Sequence, residues 1–191
     1  MLAEPILVVA RVAQAFDALG VSYLVGGSLA SSVYGIPRAT QDVDLVADLK
    51  EPDAERLVQM LTTDFYVDAD MIRDAIGRRA SFNVIHLATM FKADVFVLKR
   101  DAWSREEMSR AREERLEGPQ GPVTIRFASP EDTLLHKLVW YKLGNEISDR
   151  QWSDILGILK VQGSLLDGAY LDRWAPLLDV ASLLARARSQ Q

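Results

Sequence analysis

Between Tyr23 and Ser28 the chain passes from three apolar residues straight into Gly26-Gly27-Ser28, and helix-compatible residues follow from Leu29. A strand that ends in two glycines and enters a helix without a linker has few ways to fold. The pattern reads as a buried strand running into a tight turn, followed by a short helix. The turn also leaves backbone N–H groups and a hydroxyl at the positive end of the helix, which suits a phosphate. Gly26, Gly27 and Ser28 are therefore candidate nucleotide-binding residues.

A second feature follows at Asp42-Val43-Asp44-Leu45. The period of two of a strand sets Asp42 and Asp44 on one face, with Cα atoms roughly 6–7 Å apart, and turns Val43 and Leu45 towards a core. Asp94 stands between Ala93 and Val95 in another alternating segment. If the two strands are neighbours, its carboxylate joins the pair at a spacing of about 5 Å. Three carboxylates so placed repel one another, and divalent cations relieve that repulsion. Two Mg²⁺ ions about 4 Å apart, with Mn²⁺ as a substitute, form the clamp used for in-line attack on a phosphoryl group. Asp42, Asp44 and Asp94 are the expected metal ligands and catalytic residues.

Composition agrees with oxygen ligands. The chain has 191 residues, no cysteine and two histidines, which excludes disulfides, zinc–thiolate sites and iron–sulfur clusters. It is 49% hydrophobic and 26% charged, as in a folded domain rather than a disordered chain. A net charge of −5 does not favour broad, sequence-blind nucleic-acid binding. No segment approaches the roughly 18 consecutive apolar residues of a membrane span. The first ten residues lack a basic leader and contain Glu4 and Pro5, so a cytoplasmic protein is expected.

The periodicity predicts helices over 6–19, 29–34 and 52–61, strands over 23–25, 42–49, 81–87, 92–98 and 123–127, and a hairpin from 81 to 98. Interleaved Arg105, Glu106, Glu107, Arg110, Arg112, Glu113, Glu114 and Arg115 suggest a solvated helix over 103–116 with i,i+4 ion pairs. A loop is expected at 117–122. Ser129 with Pro130 and Asp132 marks the start of a helix over 130–143, and further helices are expected over 149–161, 165–174 and 175–187. Trp140, Tyr141, Trp152 and Trp174 fall among Leu and Ile at helical spacing and are expected in the core, and His86 and His136 in structural roles. The expected class is α/β (α+β): an α/β core over 1–127 with a small mixed sheet flanked by helices, then a helical region over 128–191.

The order strand–Gly-Gly-Ser–helix, Asp-x-Asp and a later lone Asp resembles the polymerase-β-type nucleotidyltransferase superfamily. The stretch Gly26-Gly27-Ser28…Tyr34-Gly35…Arg38-Ala39-Thr40-Gln41-Asp42-Val43-Asp44-Leu45 is similar to the abortive-infection-type (AbiEii-like) nucleotidyltransferases, several of which are toxins of toxin–antitoxin pairs. The resemblance covers roughly residues 22–160. It implies a nucleotidyltransferase fold and a Mg²⁺-dependent transfer of a nucleoside monophosphate from an NTP to an acceptor, with release of pyrophosphate. The acceptor would be tRNA, a protein or a small molecule, and a cognate antitoxin or toxin would be a partner. It also implies that Lys137 contacts the nucleotide phosphates and that Asp154 supports that site; the helical region is expected to close over the nucleotide.

Other readings remain open from the residues alone. Arg38 and Thr40 either orient the triphosphate or cap the start of the strand. Lys137 is otherwise a surface lysine on an amphipathic helix, and Asp154 otherwise pairs with Arg150. A catalytically inactive nucleotide- or partner-binding module would show the same fold. A metal-dependent glycosyltransferase would use Asp-x-Asp without the Gly-Ser turn or Asp94.

Overall fold

The computed structural model describes residues 3–119 and 121–190. Helix α1 (Ala3–Leu19) is followed by strand β1 (Tyr23–Val25), which runs into α2 (Gly27–Tyr34). Strand β2 (Asp42–Ala47), α3 (Asp53–Leu61), β3 (Phe65–Tyr66), α4 (Ala69–Arg78), β4 (Ser81–His86) and β5 (Lys92–Val97) come next. After α5 (Ala102–Ser109), a hairpin of β6 (Arg112–Gly118) and β7 (Gly121–Phe127) completes the sheet. Helices α6 (Pro130–Leu143), α7 (Asp149–Gln162), α8 (Gly168–Leu177) and α9 (Ala181–Arg188) follow, with a 3₁₀ turn at Gly163–Leu165.

The strands form one mixed sheet in the order β3-β4-β5-β2-β1-β7-β6. Strands β2 and β5 are parallel, as are β1 and β7; the other neighbours are antiparallel. The alternation in β2 and β5 decides which face is dry. Val43, Leu45 and Ala47, with Ala93, Val95 and Val97, are buried against Val8, Val12 and Phe16 of α1 and Leu57 and Leu61 of α3. Asp42, Asp44 and Asp94 take the other face by the same period.

A second cluster gathers Leu134, Leu138, Ile155, Ile158, Leu171, Trp174 and Leu183 from α6 to α9. Helix α2 packs against both α6 and α7. The approach is close at Gly35, where a Cβ would stand 3.0 Å from the Ile158 nitrogen and 2.8 Å from the Ser31 oxygen. Gln162 Nε2 donates to the Tyr34 carbonyl at 2.8 Å, a further tie between α7 and the end of α2. Among the described residues no helix is long and apolar enough to cross a membrane.

The helix expected over 103–116 does not form as one element. It ends at Ser109, and Arg112 begins a strand whose whole length pairs with β7. The Arg/Glu run alternates at a period of two as readily as at helical spacing, and Leu116, packed against the core, settles it. The expected i,i+4 ion pairs are replaced by long-range ones: Glu106 binds Arg173 at 2.7 Å, and Glu113 faces Arg126 across the hairpin. The loop expected at 117–122 contracts to a connection between the paired Gly118 and Gly121; Gln120, within it, lies outside the described residues.

The helix expected from 165 starts instead at Gly168, because Asp167 caps it by accepting from the Tyr170 nitrogen at 2.9 Å, and it continues through Pro176. The helix expected over 175–187 is accordingly shorter and begins at Ala181. Ser129 caps α6 as expected, accepting from the Asp132 nitrogen at 3.1 Å.

Candidate active site

The two glycines do different work. Gly26 donates its N–H to the Asp44 carbonyl at 2.9 Å and fastens the turn to β2. Gly27 takes φ +58°, and a Cβ there would lie 2.6 Å from Asp44 Cγ and overlap its Oδ2. The carboxylate of Asp44 therefore occupies the space that any other residue at 27 would fill. The start of α2 and the acidic strand are built against each other.

The parallel register sets Asp44 directly opposite Asp94 and Asp42 opposite Lys92. All four are on the face away from the core. Lys92 Nζ binds Asp94 Oδ2 at 2.7 Å. Thr40 donates its hydroxyl to the Asp42 carbonyl at 2.9 Å and to Asp42 Oδ1 at 3.2 Å, so it orders the start of β2 and orients that side chain. Burial, and after it the charges of Asp42 and Asp94, push the Asp44 carboxyl up to about 6 against the pull of Lys137 and Lys92.

The donor set fits a hard divalent cation in kind: oxygen ligands only, and crowded negative charge that a cation relieves. Among the described residues no three histidine, aspartate or glutamate side chains are grouped so that they could hold a metal ion as they stand. Asp94 would have to exchange Lys92 for the ion.

The raised Asp44 pKa is also a stability statement. The folded state holds the Asp44 proton up to about pH 6, the unfolded chain only to about pH 4. Metal-free protein is thus expected to be most stable, so far as Asp44 is concerned, below pH 4. It loses about 2–3 kcal/mol as the pH rises through 6. Asp44→Asn is expected to remove that slope and to raise the urea midpoint of metal-free protein at pH 7.5. An unchanged or lowered midpoint would contradict it.

Beside the acidic face lies a buried ionic network. Asp154 on α7 takes Arg38 bidentately, Nε to Oδ1 and Nη2 to Oδ2 at 2.8 Å each, and Lys137 Nζ at 2.8 Å. Lys137 is 4% exposed and Asp154 7%. Burial alone would raise the Asp154 carboxyl; the hydrogen bonds and charges of Arg38 and Lys137 outweigh it and hold the group below the usual carboxylate range. Arg38 Nη2 also donates to Ser28 Oγ at 2.8 Å and Nη1 to the Ala39 carbonyl at 3.1 Å. Ser32 accepts from the Arg38 nitrogen at 3.3 Å, so α2 fixes the loop that carries this arginine.

A cleft of about 270 Å³ opens here, lined by Ser28, Arg38, Thr40, Gln41, Asp42 and Arg150. Every residue read from the sequence as a site candidate lies in or next to this constellation: Gly26, Gly27, Ser28, Arg38, Thr40, Asp42, Asp44, Asp94, Lys137 and Asp154. The alternatives of a surface Lys137 and of an Asp154–Arg150 pair do not hold, since Lys137 is buried and Asp154 pairs with Arg38 and Lys137. Lys92 and Ser32 are additions. Lys92 is legible through its place two residues before Asp94, on the same strand face; Ser32 has no distinguishing sequence signal.

His136 pairs with Glu107 at 2.9 Å, and its ring packs at a tilt against Trp103. Trp140, expected in the core, is instead 54% exposed. The inward-facing positions of its helix are taken by Leu134, Leu138 and Tyr141.

No family model matches the sequence, and no curated protein matches it. Several solved structures do. An antigenic nucleotidyltransferase-like protein from Paracoccidioides brasiliensis superposes with a TM-score of 0.55 at 20% identity, over 95% of this chain and 90% of its own. The antibiotic-resistance factor ANT(2'')-Ia gives 0.53 at 18% identity, over 100% of this chain and 94% of its own. The same protein in complex with adenylyl-2''-tobramycin gives 0.53 at 14% identity, over 98% of each chain. The chain therefore has a nucleotidyltransferase fold, matched over nearly its whole length.

Proposed function

We propose that the protein is a Mg²⁺-dependent nucleotidyltransferase that moves a nucleoside monophosphate from an NTP to an acceptor hydroxyl or phosphate and releases pyrophosphate. The observation that carries this is the register of Asp44 against Asp94 at the very place where Gly27 admits no side chain. Phosphate-binding turn and carboxylates are one unit, as attack on a phosphoryl group requires.

Asp42, Asp44 and Asp94 would hold two Mg²⁺ ions, or Mn²⁺ in their place. Bound there, the metal lowers the pKa of the attacking hydroxyl and neutralises charge on the leaving pyrophosphate. The chain's own groups do the positioning. The N–H groups at the start of α2 and the Ser28 hydroxyl hold the phosphate tail, and Arg38 fixes that hydroxyl from behind. Lys137 sets a positive charge beside Asp44. Asp94 would accept the acceptor's proton as the new O–P bond forms and the bond to pyrophosphate breaks.

The motif from Gly26 to Leu45, similar to abortive-infection-type proteins, supports a role in a cytoplasmic toxin–antitoxin pair, with a cognate antitoxin or toxin as partner. On that reading tRNA, a protein or a small molecule is the acceptor. One observation favours the rival reading of an inactive nucleotide-binding module: Asp94 is held by Lys92.

Incubation with each α-³²P-labelled NTP, Mg²⁺ and cell extract separates the two. Label is expected on one acceptor class and absent with Asp42→Ala/Asp44→Ala. Equal labelling by the double variant would remove the catalytic assignment. Mg²⁺-dependent NTP binding without pyrophosphate release would select the inactive module.

A further inference from the structure

Lys137, which the resemblance assigns to the phosphates, and Arg38, which the sequence leaves between orienting the triphosphate and capping the strand, are both engaged elsewhere. Arg38 uses four of its five N–H groups, two on Asp154, one on Ser28 and one on the Ala39 carbonyl. Lys137 is buried with its ammonium on Asp154. Asp154 thus cancels one of their two charges, and Asp42 adds a negative charge to the cleft wall. Apart from any charge that metal ions on the acidic face would neutralise, a triphosphate entering at Ser28 carries more negative charge than this wall can balance.

Arg150 lines the same cleft from α7, far along the sequence from Ser28 and Asp42. It is exposed, and among the described residues it has no ion-pair partner. Its guanidinium offers a planar fork matched to phosphate oxygens. The cleft, at about 270 Å³, is at the small end of ligand sites and suits a polar tail rather than a whole nucleotide.

We infer that Arg150 is the residue that grips the outer phosphates and so selects a triphosphate over a monophosphate, while Arg38 is a positioning residue that holds Ser28 in place. This rests on the nucleotidyltransferase reading and adds a substrate-selecting residue to it. Asp154 then keeps Arg38 off the phosphates and leaves the outer end of the tail to Arg150. Because Arg150 sits on α7 and Ser28 on α2, a bound polyphosphate would bridge the two helices.

Calorimetry with inorganic tripolyphosphate and with orthophosphate, in Mg²⁺ buffer, tests this without any assumption about the base. ATP and AMP are titrated in parallel. Arg150→Ala and Arg150→Gln are expected to weaken tripolyphosphate and ATP by about 10- to 100-fold, the range of a lost charge-assisted bond, and AMP by less than about threefold. Arg150→Lys is expected to fall between, and the thermal midpoint of each unliganded variant to match the parent. If the variants bind tripolyphosphate as the parent does, the inference fails and the nucleotidyltransferase reading stands. If the parent binds neither tripolyphosphate nor any of the four NTPs, both fail.

Discussion

Gly27→Ala is expected to abolish Mg²⁺-dependent NTP binding and to destabilise the fold by about 2–4 kcal/mol. Two costs add. The backbone at 27 sits at φ +58°, which an L side chain adopts only with strain, and the new methyl overlaps the Asp44 carboxylate. The carboxylate must rotate away or the turn must open, and either change separates the N–H groups at the start of α2 from the acidic face. Urea denaturation and calorimetry read the two effects separately. Asp44→Ala in the same chain is expected to recover part of the stability and none of the binding, so the two substitutions are non-additive. Strict additivity would show that Gly27 and Asp44 are not packed as described.

Asp154→Ala is the second large effect, expected at about 3–5 kcal/mol. The reason is electrostatic rather than steric. Lys137 would be left buried without its hydrogen-bonded counter-charge, and Arg38 would lose its bidentate partner. A buried charge stripped of its partner costs more than the pair contributes. Replacing all three charges together, with Arg38→Met, Lys137→Met and Asp154→Leu, is therefore expected to cost less than Asp154→Ala alone, though NTP binding is lost. Urea midpoints in the order parent, triple variant, Asp154→Ala would agree. A triple variant less stable than the single one would mean that the network contributes specific bonds beyond charge balance.

Much of this site is legible in the sequence, and the reason is local chemistry. A glycine pair after a strand, and carboxylates at a period of two, leave little freedom in what they can build. Alternation alone sets Asp94 on a strand face where it can meet Asp44, and the parallel pairing of β2 with β5 brings the two opposite each other. The Arg38–Asp154–Lys137 network is not legible in the same way. It joins the loop after α2 to two helices across more than a hundred residues, and no local pattern encodes that meeting.

Residues 103–116 show the opposite case. A run of Arg and Glu satisfies helix and strand periods equally, and pairing with β7 decides between them. Helix α4 and strand β3 lie in a stretch whose periodicity assigns no element. The Asp68 cap, accepting from the Met71 nitrogen at 2.9 Å, is the local signal for α4. Strand β3, two residues long, exists only by pairing with β4.

The most direct measurement is the anomalous signal from crystals grown with Mn²⁺ and a non-hydrolysable NTP. It is expected between Asp42, Asp44 and Asp94, with Lys92 displaced from Asp94 and the phosphate tail on Gly27 and Ser28. An ion bound elsewhere, with Lys92 still on Asp94 and the nucleotide away from the α2 turn, would contradict the shared metal site on which the proposed reaction depends.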